Sequence, residues 1–172
     1  MKKIVSLAAA LALVASTAQA QSASDNSSPW TLSTTVSVTV PTILVLSLDD
    51  TTTAFAQPGE AEFDAGFQEL ASAITANVKA NRGYTLNIQA GTALWGGTGS
   101  ATKASTDLMW RLNAAAAPGN GLTTTAAAVA VETTGSPLAG RSYGLTYRIL
   151  WSYANDTPGN YTLPVVFTAT AP

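Results

Sequence analysis

The feature that most constrains this chain is an alternation of period two that returns along its length, with hardly any trace of period 3.6. Leu32, Thr34, Val36, Val38 and Val40 fall on one face of an extended segment, and Ser33, Thr35, Ser37 and Thr39 fall on the other. Successive side chains on a strand point to opposite faces, so this is the pattern of a half-buried strand. Pro41 interrupts it, because proline has no N–H to give to a ladder. Thr42 to Leu48 then runs almost continuously apolar, as expected of a strand covered on both faces.

Leu70, Ser72, Ile74, Ala76 and Val78 alternate next, followed by Tyr84, Leu86, Ile88 and Ala90. Between these runs lies Asn81-Arg82-Gly83. Asn and Gly readily take positive φ, so the tripeptide predicts a tight hairpin. Leu108, Trp110 and Leu112 make a short strand, and Leu122 to Val131 a weaker one. Leu145, Tyr147, Ile149, Trp151 and Tyr153 alternate, as do Tyr161, Leu163, Val165, Phe167 and Ala169. Pro158-Gly159 between them suits a type II turn, which predicts a terminal hairpin, with Asp156 and Asn160 supplying turn chemistry. Pro164 removes one donor from the last strand and points to an edge or bulge there.

Helical signals are few. Phe63, Phe67 and Leu70 have helix-like spacing within Glu60 to Ser72. Gly66 in their midst costs about 1 kcal/mol relative to Ala, so a single helical turn feeding a strand is the expectation. The alanines at 114–117 and 126–130 sit in loop chemistry and read as long loops and an edge strand. The expected fold class is all-β, an Ig-like antiparallel β-sandwich of roughly 6–9 strands.

The amino terminus predicts a destination. Lys2 and Lys3 form a basic start, Ile4 to Val14 an apolar core, and Ala18-Gln19-Ala20 a small-x-small cleavage site. The apolar run is shorter than the roughly 20 residues a membrane helix requires. A signal peptide over 1–20, a polar flexible arm over 21–29 and a single sandwich domain over 30–172 follow from this reading. The expected location is exported: cell surface, extracellular or periplasmic, in a bacterial source.

Charge and composition then exclude several kinds of chemistry. Removing Lys2 and Lys3 takes the formal net charge from −2 to −4, with the remaining Lys and Arg scattered. Nucleic acids and anionic membrane surfaces are therefore not expected partners, since both require a basic patch. Cysteine and histidine are both absent, so no disulfide supports the fold and the commonest transition-metal ligands are missing. No cofactor is expected. A serine nucleophile would need a base, and the lysines left after cleavage, Lys79 and Lys103, read as solvated.

Paired carboxylates could serve glycoside hydrolysis, and Glu60, Glu62, Asp64 and Glu69 could gather a weak calcium site. Both sets, with Asp49-Asp50, read more simply as strand-ending turns and solvated acidic loops. Gly96-Gly97-Thr98-Gly99-Ser100 lacks the lysine and the following helix of a phosphate-binding loop and reads as a flexible loop. Trp110, Trp151, Tyr147 and Tyr161 fall at strand positions where burial is the default. Trp95, beside the glycine loop, is the candidate ligand contact, with Tyr84 as a second. An enzyme is not expected.

The hairpin wording NRGYTLNIQA and the closing TPGNYTLPVVFTATAP resemble bacterial exported surface β-sandwiches. Fimbrial subunits of the chaperone–usher, pilin-like type often close with such an aromatic-rich strand after a Gly-x-Tyr turn. WxL-type cell-wall-binding domains have a comparable hairpin and ending. The first resemblance implies a non-enzymatic structural or adhesive protein assembling by β-strand addition with copies of itself or other surface subunits. Leu32, Thr34, Val36, Val38 and Val40 would then be the exchanged segment, or else pair within their own chain. The alternative is a carbohydrate- or cell-wall-binding module in which Trp95 and Tyr84 meet a surface glycan.

Overall fold

The computed structural model describes residues 32–99, 101–117 and 119–172. The expected signal peptide and polar arm lie outside the described residues. The sandwich belongs to the compact unit of residues 41–172. Its strands are antiparallel throughout and fall mainly into two sheets.

The larger sheet has the order β1-β2-β8-β5-β6: β1 is Leu44–Leu48, β2 Phe67–Ala80, β5 Leu108–Leu112, β6 Asn120–Gly121 and β8 Arg141–Leu150. The smaller has the order β10-β3-β7: β3 is Tyr84–Ala90, β7 Ala127–Glu132 and β10 Val165–Thr170. A two-residue ribbon joins β4, Gly96–Gly97, to β9, Tyr161–Thr162. Seven of these strands have five residues or more, within the range expected from the alternation.

The alternation decides which side chains enter the core. Ile74, Ala76 and Val78 of β2 meet Leu145, Tyr147 and Ile149 of β8 and Leu108 and Trp110 of β5 on the inner face of the larger sheet. Tyr84, Leu86, Ile88 and Ala90 of β3 form the facing layer. Every second residue of β3 is buried, because this central strand is flanked on both sides and covered on one face. The six-residue helix α1, Glu60–Ala65, ends where Gly66 takes φ +75°, and β2 starts at the next residue. The helical turn feeding a strand is therefore present, with Gly66 as its stop.

Several expected pairings differ. Asn81-Arg82-Gly83 does not close a hairpin: β2 pairs with β1 and β8, while β3 pairs with β10 and β7, so the turn crosses between sheets. The terminal hairpin is absent for the same reason, since β8 belongs to the larger sheet and β10 to the smaller. Gly159 has φ 158°, far from the roughly +80° that a type II turn requires there. Within the segment Thr42 to Leu48, residues Leu44–Leu48 form an edge strand with exposed Val45 and Leu48, not a strand covered on both faces. Residues 32–40 form no strand at all, and all nine are exposed, with Val36 at 89% and Val38 at 85%. The half-buried strand expected there is not formed within this chain.

The glycine loop is also not free. Backbone N–H groups of Thr98 and Gly99 donate to the carbonyl of Asn160 at 3.0 and 3.1 Å. At Gly97, φ is +107°, and a β-carbon would collide with that carbonyl. At Gly99 it would strike the Tyr161 ring. Glycine is required here because two backbones and an aromatic ring converge.

Candidate functional site

Two regions stand out, an open sheet edge and a buried charged cluster. Four strands form the edges of the two sheets: β1, β6, β7 and β10. Of these, β6 has two residues, and β7 carries a bulge where its register with β3 shifts between Leu86 and Asn87. Short length and bulges are common ways to blunt an edge against further pairing. By contrast, β10 pairs with β3 over six unbroken positions, from Val165↔Ala90 to Thr170↔Thr85. Among the described residues no strand pairs with its other flank.

Side-chain burial on β10 matches that open flank. Val165, Phe167 and Ala169 point toward the core yet stay partly exposed, whereas their ladder partners Ala90, Ile88 and Leu86 are fully buried. Edge strand β1 lies close by, and its Leu44 and Leu46 are likewise only partly covered. The neighbouring edges of the two sheets therefore border a strip of core that is incompletely closed. Pro164 lies just before β10, its carbonyl accepting the N–H of Gly91 at 2.8 Å, so it interrupts nothing in the ladder.

The second region was not legible as a site. Lys103, expected on a solvated loop, is buried, with its side chain 1% exposed. Its Nζ donates to Asp156 Oδ1 at 2.8 Å and to the carbonyl of Leu150 at 2.6 Å. Asp107 Oδ2 lies 3.7 Å away. The ammonium stands 4.7 Å from the centre of the Trp151 ring and 5.8 Å from that of Tyr161. Asp156, its side chain 5% exposed, also accepts the backbone N–H of Ser152 on Oδ2 at 2.8 Å. The turn reading of Asp156 thus captures half of its role, since its other oxygen holds a buried cation. Fifty-three positions separate the pair, and no local pattern announces it.

The two aromatic candidates differ in how far they are covered. Tyr84 is buried to 1% exposure, and its hydroxyl lies 2.7 Å from that of Tyr143, which donates to Glu132 at 2.9 Å. Burial, together with these two partners, pushes the Tyr143 hydroxyl well above the usual phenol range. Neither face of the Tyr84 ring is open to a sugar. Trp95 is partly buried; its indole N–H donates to the carbonyl of Ala104 at 3.0 Å, and its ring meets Tyr161 edge-to-face. Leu32, Thr34, Val36, Val38 and Val40 are exposed and unpaired, as described above.

The acidic residues have separate duties. Asp49 Oδ1 accepts the Thr75 N–H at 2.8 Å, which lowers its pKa, and Asp50 Oδ1 accepts the N–H groups of Thr51 and Thr52. Glu62 accepts the N–H of Gly59 at the start of α1, and Asp64 accepts the Tyr153 hydroxyl. Glu69 is clamped by Arg148 and Arg111, at 2.8 and 2.7 Å. The hydrogen bond from Arg148, and then that from Arg111, hold its carboxyl below the ordinary carboxylate range. Among the described residues no group of three acidic side chains is arranged to hold a metal ion. No helix among them is long and apolar enough to cross a membrane.

No protein-family model matches this chain, and no curated protein matches it.

Proposed function

We propose that this is an exported, non-enzymatic structural or adhesive surface protein that assembles by β-strand addition, each copy receiving a strand from a neighbour. The observation that carries this reading is the outer flank of β10. It is six residues of regular, unblunted edge above a partly exposed row of Val165, Phe167 and Ala169. An added strand would satisfy the free backbone groups and cover that row with alternate side chains.

The segment carrying Leu32, Thr34, Val36, Val38 and Val40 has the form such a donor needs. It is extended in sequence pattern, apolar at alternate positions, and unpaired. An exposed run of this kind is costly to keep in water and gains by covering an edge. The partner is therefore a second copy of the chain or a subunit of similar build.

Deleting residues 21–40 and following assembly by light scattering tests the reading. Folded, monomeric truncated chain is the expected result. A truncated chain that folds and still polymerises would sink the donor role of residues 32–40.

A further inference from the structure

We propose that Lys103 and Asp156 condense into an intramolecular amide, a covalent cross-link between two side chains formed by the folded protein itself. Nζ and Oδ1 already lie 2.8 Å apart, with the two side chains 1% and 5% exposed. In the reaction the Nζ–Cγ bond forms and the Cγ–Oδ1 bond breaks. Nζ gives up two protons, and both leave on Oδ1 as one molecule of water. An ammonium and a carboxylate become a neutral amide, so charge balances and nothing is oxidised or reduced.

An ion pair alone would not call for this reading; the surroundings of this pair do. Attack requires the neutral amine and the neutral acid, a form reached when one proton crosses the 2.8 Å contact. Trp151 and Tyr161 wall the amine away from the solvent that would otherwise hold the two charges apart. Leu150 fixes the direction of Nζ through its carbonyl at 2.6 Å. The Ser152 N–H, at 2.8 Å from Oδ2, donates to the oxygen on which negative charge develops during attack.

Asp107 supplies the remaining element. Its Oδ2 is 3.7 Å from Nζ, an ion-pair distance from which it takes a proton from the attacking nitrogen and returns it to the departing oxygen through one bridging water or after a small approach of the side chain. Its side chain is 35% exposed, so the released water has a route out past it. Condensation in bulk water is opposed by the water itself, and the near-complete burial of both side chains lessens that opposition. The product also relieves the protein of two buried charges, which are costly to maintain. In a chain without cysteine the bond would take the place of a disulfide, tying the loop after β4 to the connection that follows β8.

Mass spectrometry of the purified full chain decides the matter. The expected intact mass is about 18 Da below that of the sequence, the loss of one water. Trypsin does not cut after an acylated lysine, so one branched peptide joining residues 83–111 to residues 149–172 is expected. Lys103→Arg keeps a cation beside Asp156 but cannot condense, and Asp107→Asn withdraws the proton relay; both are expected at full mass. A parent chain at full mass, releasing 83–103 and 104–111 as separate tryptic peptides, overturns the proposal. A mass deficit persisting in either variant overturns it as well.

Discussion

Ile88 and Phe167 face each other across the ladder between β3 and β10, and truncating each to alanine should reverse the usual order of size. Ile88 is fully buried on a central strand. Its replacement by Ala leaves a closed cavity, and a loss of about 4 kcal/mol is expected, within the range for buried aliphatic truncations. A fully buried Phe would lose about as much or more. Phe167, however, sits on the open flank and is only partly covered. Solvent and neighbouring side chains can enter the space it leaves, so no closed cavity adds to the cost. Only the transfer term for its buried part remains, about 2 kcal/mol.

Urea unfolding of the dilute monomer, followed by tryptophan fluorescence, measures both losses. If Phe167→Ala costs as much as Ile88→Ala in the monomer, Phe167 is already enclosed and the open-flank reasoning fails. If copies assemble by strand addition as proposed, the ordering should return to normal in the assembly, because an added strand would complete the burial of Phe167.

Two pH dependences accompany this. The folded-state pKa of Glu69 is depressed, so its contribution to stability is complete above the ordinary carboxylate range and is lost as pH falls through the folded value. Glu69→Gln should flatten the acid limb of the urea midpoint between neutral pH and pH ~3 by less than about 1 kcal/mol, because the cluster is near the surface. Burial raises the Tyr147 hydroxyl above the ordinary value of 10.0, so its contribution is complete below that pH and declines as pH rises beyond it. Ultraviolet titration should find the Tyr147 phenolate appearing only with alkaline unfolding, and Tyr147→Phe should lessen the alkaline loss of stability.

The sequence was most informative where one property repeats. Tyr84, Leu86, Ile88 and Ala90 declare a strand and its inner face, and all four are buried. Partner choice is not written in alternation. Asn81-Arg82-Gly83 has the residues of a hairpin, yet the same backbone freedom serves a crossing between sheets, and packing decides between them. Residues 32–40 carry an alternating pattern but no information about where the complementary face lies. Lys103 was illegible for a different reason. A lysine among Gly, Thr and Ser looks solvated until Trp151, Tyr161 and Asp156 arrive from another part of the chain. Even the glycine loop, flexible by composition, is tied down because Asn160 and Tyr161 pack against it.

The pairing of β3 with β10 also bears on how the molecule reaches its fold. β3 is completed on one flank by residues far along the sequence, Thr170 pairing with Thr85, and β2 waits for β8 in the same way. Such ladders cannot zip outward from a turn; each requires closure of a long loop before it yields any stabilisation. High contact order of this kind slows folding, toward the millisecond-to-second range of all-β domains. The first half of the sandwich must therefore wait with its central strand half paired until β10 is in place.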